Sequence, residues 1–381
     1  MAMHAADKVL IVGGGLAGLV TAVHLQAQRV PFELVEARDR LGGRILSTDR
    51  AGNASSDGFD LGPSWFWPEM QPDLDRLINS LGLRFFRQHE VGDVLIQYRP
   101  GVPVERYPGG TEHPASARLA GGTGALISAL SARLPAARIR TNTAARRITQ
   151  SEQGCVIECV RPDGTLKFLK AARVVLAVPP RLLAQAIGFE PDLGGGTLSA
   201  WASTPTWMAP HAKFVAVYDR PFWREMGLSG SGRSMVGPLA EIHDATTASG
   251  QAALFGFVGI AARQRRKFDE ASIVVAAVAQ LAAMYGPLAA EPQATLYKDW
   301  AADPLTATQD DQDGAGHPNG LRTSQVEGVW AGRLFLAGSE ASSREPGYLA
   351  GAVDAAERVV SELMRHSAPA LAGQPADPVG R

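Results

Sequence analysis

Val9 to Val12 form an unbroken aliphatic run, and Leu16, Val20 and Val23 follow at helical spacing. A short continuous apolar run suits a central parallel strand covered on both faces, and the spacing after it predicts a helix packed on that strand. Phe32 to Val35 repeats the strand pattern. Leu74 to Leu83 is amphipathic, and Asp93 to Tyr107 alternates between turn residues, which predicts strands of a second, more β-like unit. After Gly121 the pattern is helical again, with Leu126, Leu130 and Leu134 on one side. Val156 to Val160 and Leu166 to Leu169 flank the turn Pro162-Asp163-Gly164 and predict a hairpin; Val174 to Val178 is a strand stopped by Pro179-Pro180. Lys213 to Tyr218 and Ala253 to Val258 read as strands, Val274 to Met284 as a helix, and Leu334 to Ala337 as a last buried strand. A final helix, Gly351 to Leu363, has Val353, Val360 and Leu363 on its apolar side.

These elements predict an α/β chain: a Rossmann-like domain assembled from residues 7–68, 118–188 and 328–366, and a mixed-sheet α+β substrate domain from 69–117 and 189–327. Ala368 to Arg381 is rich in Ala, Pro and Gly, so 367–381 reads as a flexible tail.

Between the first strand and helix, Gly13, Gly15 and Gly18 complete GxGxxG. The first glycine permits the tight turn, the second lets backbone approach a pyrophosphate, and the third lets the helix lie close to the sheet. The helix then points its N-terminal amides at the phosphates. Glu36 ends the second strand, where a carboxylate can hold ribose hydroxyls; a solvated strand-end charge is its alternative reading. Strand, glycines, helix, strand and acid stand in the order of a dinucleotide site.

Composition narrows the partners. The 381 residues are 45% hydrophobic and 20% charged with a formal net charge of -1, which gives no electrostatic reason to expect nucleic acid or an anionic membrane. The start MAMHAADK lacks the apolar core of a signal peptide, and no stretch reaches membrane-spanning length, so a soluble protein without a membrane anchor is expected. Cys155 and Cys159 fit neither a metal spacing nor a disulfide framework, which points to a reducing cytoplasm. The eight histidines are scattered, with no pair at metal-ligand spacing, and no metal is expected.

From EARDRLGGRI at residues 36 to 45 onward the chain resembles the FAD-containing, monoamine oxidase-like amine oxidases. The resemblance continues through AVPP at 177 to 180, KFVAVYDRPFW at 213 to 223 and LFLAGSEASSREPGYLAGAVDAAERV at 334 to 359. It implies the amine oxidase and glutathione reductase-like FAD fold, with FAD in the dinucleotide site. Leu16 and Ala17 at the helix start and Ala37 beside Glu36 join the glycines in that assignment. Arg38, Gly42, Gly43 and Arg44 are implied against the pyrophosphate, a role suited to arginine forks and bare backbone; solvated loop charges are the alternative for the arginines. Ala145 and Ile148 stand where the family contacts adenine through backbone, with alanine in place of the usual valine. Gly62, Pro63, Ser64 and Trp65 form the implied GPSW contact. Gly338 and Glu340 are implied near the ribityl chain, and Tyr348, Leu349 and Ala352 beneath the isoalloxazine, where a helix start favours negative charge.

For chemistry, the resemblance implies that Lys213 holds a water beside flavin N5 and that Tyr348 forms one wall of an aromatic cage for the amine. A surface-strand lysine and a core tyrosine are the plain alternatives. After Trp300 the chain reads WAADPLTATQDDQD, without the cysteine and tyrosine of covalent-flavin members, so FAD is expected to be noncovalent. The second cage wall must come from elsewhere, with Trp65, Trp67 or Trp300 as candidates. The segment between GPSW and GGTG is compact, implying a more open site. The implied reaction takes hydride from an amine α-carbon, giving an imine and then an aldehyde, with O2 reduced to H2O2. Related FAD enzymes acting on amino acids, desaturation substrates or dihydronicotinamides are the enzymatic alternative, and a flavin-binding protein without turnover is the other.

Overall fold

The computed structural model describes residues 8–55, 57–313, 316–320 and 326–367. The start read as leader-free, apart from Lys8, and the tail from residue 368 onward lie outside the described residues. Among the described residues, a five-stranded parallel sheet is built from β1 (Val9–Val12), β2 (Phe32–Val35), β3 (Ile139–Arg140), β4 (Arg173–Leu176) and β5 (Leu334–Leu336), in the order β5-β4-β1-β2-β3. β1 is central. Val9 and Ile11 enter one core and Leu10 and Val12 the other, so the unbroken apolar run serves two covered faces.

Helix α1 (Leu16–Ala27) lies on one face with α2 (Leu349–Ser367), which starts two residues earlier than the apolar pattern predicts. On the other face, strands Gly154–Val160 and Leu166–Ala171 form the predicted hairpin. It joins Ala144–Ser151 and Gly188–Glu190 in a four-stranded sheet. A third, seven-stranded sheet runs Ala294–Asp299, Ala212–Tyr218, Ala252–Val258, Leu239–Asp244, Leu228–Ser234, Asp93–Gln97 and Glu105–Tyr107.

The packing does not follow every expected boundary. Helix Pro72–Ser80, expected with the substrate domain, buries Leu74 and Ile78 in the same core as α1 and α2. Phe189, Leu193 and Trp201, expected on the substrate side, pack with β4 and β5. Each segment carries an apolar face that local periodicity detects but cannot assign to one sheet or another.

Candidate active site

A cavity of about 390 Å³ opens off the carboxyl ends of the parallel strands, where Val12, Val35, Ala177 and Gly338 line it. That is the usual ligand position in an open α/β sheet. The glycine turn is shaped by contacts that explain each residue separately. Gly13 has φ +107, and a Cβ there would lie 2.6 Å from the Ala177 carbonyl oxygen. A Cβ on Gly18 would drive into the Gly13 carbonyl oxygen, so this glycine sets the helix-to-strand approach. Gly15 differs: its Cβ would meet nothing nearer than 3.9 Å, so packing does not demand a glycine there, and its bare backbone faces the cavity. That room is what a diphosphate needs, and Gly43, where only Gly15 Cα would come within 3.5 Å, widens it.

Glu36 is buried, and its two carboxylate oxygens accept from the backbone N–H groups of Gly14 at 2.7 Å and Arg38 at 2.9 Å. Each oxygen keeps acceptor capacity for a hydroxyl. Leu16, Ala17, Ala37, Arg38, Gly42, Gly43, Arg44 and Ala145 all line the cavity, whereas Ile148 is core. The arginines are also committed within the protein. Arg38 pairs with Asp303 at 2.9 Å and donates to Thr306 Oγ1, and Arg44 pairs with Glu340 at 2.6 Å and donates to Ser339 Oγ and the Trp207 carbonyl. Glu340 is fully buried and does not line the cavity; it neutralises Arg44 from behind Ser339. Arg40, which sequence reading passed over, ties the loop together by donating to the carbonyls of Leu41, Gly43 and Ile45, where Gly42 and Gly43 take positive φ.

Six rings, Trp65, Trp67, Trp207, Phe257, His317 and Tyr348, line another part of the cavity; the charged side chains among its described lining are Glu36, Arg38, Arg44 and Arg146, and Arg44 reaches this part only through the Trp207 carbonyl. Tyr348, Leu349 and Ala352 reach it from the start of α2. Tyr348 meets Trp67 edge to face at 6.3 Å, and the His317 ring stacks between Tyr348 at 4.6 Å and Trp207 at 3.5 Å. Burial lowers the His317 pKa, favouring the neutral ring. Of the expected wall candidates, Trp65 and Trp67 line the cavity. Trp300 does not: it is fully buried and donates to the Leu61 carbonyl at 2.8 Å.

Trp207 and His317 were not singled out from sequence. Trp207 sits between two prolines in TPTWMAP, just before the lysine strand, and an aromatic residue in such a loop is the signal that was available. His317 in GAGHPNG carries none. Met208, beside Trp207, has φ +68 and also lines the cavity, a costly conformation for a side-chain-bearing residue that the surrounding packing holds.

Lys213 stands behind the cavity wall. It is 1% exposed, and its Nζ donates to Ser64 Oγ at 2.6 Å and the Gly62 carbonyl at 3.1 Å, both lining residues. Nζ also lies 4.0 Å from the Phe255 ring centroid. Burial pushes its pKa down to about 7, with Asp60 raising it and Arg118 lowering it further.

Residues 104–364 match the family model described as flavin containing amine oxidoreductase, and residues 11–81 match that of an NAD(P)-binding Rossmann-like domain. The chain belongs to the flavin containing amine oxidoreductase family. It is 28% identical over 251 residues to the probable flavin-containing monoamine oxidase A of Dictyostelium discoideum, covering 65% of this chain and 53% of that protein. It is 27% identical over 262 residues to an L-amino acid dehydrogenase of Synechocystis, covering 66% and 52%. The chain thus spans about half the length of the curated relatives it matches. In fold it resembles putrescine oxidase bound to putrescine, with TM-score 0.78 and 20% identity over 94% of this chain and 99% of that one. Cyclohexylamine oxidase from Brevibacterium oxydans gives TM-score 0.77, also at 20% identity over 94% and 99%.

Proposed function

We propose that the chain is an FAD-dependent amine oxidase that takes a hydride from the α-carbon of a neutral amine, releases the imine for hydrolysis to an aldehyde, and reduces O2 to H2O2. The observation that carries this reading is one cavity lined both by a bare glycine cradle with Glu36 and by a cluster of aromatic rings around Tyr348. FAD, when bound, supplies the hydride acceptor and passes the electron pair to O2. Gly15, Gly43 and the first amides of α1 would hold its diphosphate, and Glu36 its ribose.

Among the described residues no carboxylate stands beside these rings to anchor an ammonium, so exclusion of solvent favours the uncharged form needed for hydride loss while the ring faces orient the amine. Tyr348, Trp67 and Trp207 exclude water from the reacting carbon. Lys213, neutral in part near pH 7, can take up and return a proton through a water at Ser64 without leaving a fixed charge in the site. Noncovalent binding is supported by the cysteines, since both thiols are buried in the hairpin sheet and neither lines the cavity. These free thiols also support a cytoplasmic setting, and no described helix is long and apolar enough to cross a membrane.

The test is aerobic turnover of a panel of primary, secondary and aromatic amines, with peroxide and aldehyde measured together and the flavin released by acid. One peroxide per aldehyde and freely extracted FAD are expected. Flavin that stays with the precipitated protein would overturn noncovalent binding, and peroxide only from amino acids or dihydronicotinamides would move the chain to another substrate class.

A further inference from the structure

A second cavity, of about 680 Å³, lies beyond the Trp65 side of the active site. The two share a wall. Gln88 lines the second cavity, accepts from Trp65 Nε1 at 2.8 Å, and donates to the Asp244 carbonyl at 2.9 Å. Its lining contains Arg118, 4% exposed, on the short strand Ala117–Leu119. That strand turns Ala117 and Leu119 into the core of the parallel sheet and Arg118 the opposite way.

Arg118 is an unusual residue to bury there. Its guanidinium lies 5.4 Å from the centroid of Phe86 and donates to two neutral carbonyls, Thr246 at 3.0 Å and Ala245 at 3.1 Å. Among the described residues no carboxylate lies within ion-pair distance of it, and its Nε has no hydrogen-bond partner. Asp244 is already used: its carboxylate accepts from Trp223 Nε1, Arg224 Nε and the Thr246 amide, each at 2.8 Å. Two further lining residues hold buried polar atoms without partners, His89 Nε2 and Thr246 Oγ1. A buried cation that Asp60 and Asp244 offset only from beyond ion-pair distance, with unpartnered polar atoms around the same cavity, is costly unless a ligand supplies the missing acceptor.

We propose that this second cavity is a binding site for a small organic monocarboxylate, held by Arg118 with Thr246 and His89 and with its apolar part against Phe86. The carboxylate matches the guanidinium in charge and planarity. Arg87, Arg118 and Arg224 line the cavity together with Glu90, Glu112 and Asp244, so its formal charges balance and leave no excess of cations for a phosphate dianion. Arg118 Nε and Thr246 Oγ1 are sealed from solvent, so the ligand meets them when the hydroxyl turns and the guanidinium exchanges a carbonyl contact for the carboxylate. Because Gln88 joins the two cavities, occupancy changes how firmly Trp65 is held and modulates amine binding without occupying the amine site.

The test is calorimetric titration of the FAD-loaded protein with sodium benzoate at constant ionic strength, with inorganic phosphate as the parallel arm. Saturable one-site binding of benzoate is expected, with an unchanged visible flavin spectrum and inhibition or activation that excess amine does not relieve. Arg118→Gln should weaken benzoate at least about tenfold. Thr246→Val, which lies outside the catalytic machinery, should weaken it about threefold with amine turnover retained, and it serves if the arginine variant fails to fold. No saturable heat, undiminished binding in the variants, or benzoate that competes with amine and perturbs the flavin spectrum would overturn the proposal. Phosphate binding more tightly than benzoate would overturn the carboxylate assignment.

Discussion

An amine stripped of solvent is driven toward its neutral form, and Lys213 is such a group even though the Phe255 and Phe257 faces attract its cation. Its pKa falls to about 7 on folding, whereas an unfolded lysine titrates near roughly 10.4. Between those values the unfolded chain binds more protons, so stability rises with pH there, and below about 7 the full penalty is present. From pH 7 to roughly 8, where most thiols of the unfolded chain are still protonated, chemical denaturation should show a rise of roughly 1 kcal/mol that Lys213→Met lacks. The same variant should keep its FAD, lose about tenfold or more in kcat, and lose the increase in rate through about pH 7, all measurable in a steady-state pH profile. His317 yields a specificity prediction. Removing its ring from between Trp207 and Tyr348 opens space, so His317→Ala should lower KM for bulky arylalkylamines about threefold relative to small alkylamines in initial-rate assays.

The strand–turn–helix that opens the chain separates two uses of glycine. Gly18→Ala forces a methyl into the Gly13 carbonyl and should cost about 2 kcal/mol or more in stability. Gly15→Ala meets open cavity, so its melting temperature without FAD should stay close to the parent's while bound FAD per chain falls sharply. Thermal melts and flavin-to-protein ratios measured side by side check both. This element was legible in sequence because its signals are local: an apolar run, three spaced glycines and a strand-ending acid. The aromatic end was legible only in part. Tyr348, Trp65 and Trp67 stood out there, but Trp207 reaches the site from a proline-flanked loop and His317 from an irregular segment, with no periodic pattern to expose either. Trp300 looked the same as the others in sequence, yet its indole is sealed behind Leu61. Register across the seven-stranded sheet was also hidden, since Asp93–Gln97 pairs in parallel with Leu228–Ser234 from far along the chain.

At the scale of the molecule, the cavity is made by segments that meet only in the folded state: the glycine turn, the GPSW stretch, the loop before the lysine strand and the start of α2. A ligand touching all of them couples their stabilities. Adding FAD to stripped protein at about a hundred times its Kd should stabilise it by about 2.7 kcal/mol and raise the melting temperature by several degrees in calorimetry, whereas riboflavin, lacking the diphosphate and adenosine, should do much less. The same cavity holds a cofactor cradle and an aromatic amine site that serve one reaction. Anaerobic mixing of the FAD-loaded protein with a panel of amines, amino acids and reduced nicotinamides, followed in the visible flavin spectrum, tests it directly. Bleaching by amines is expected, with recovery of colour and formation of peroxide on readmission of air; a flavin that stays oxidised with every amine while another donor class bleaches it would rule out amine oxidation.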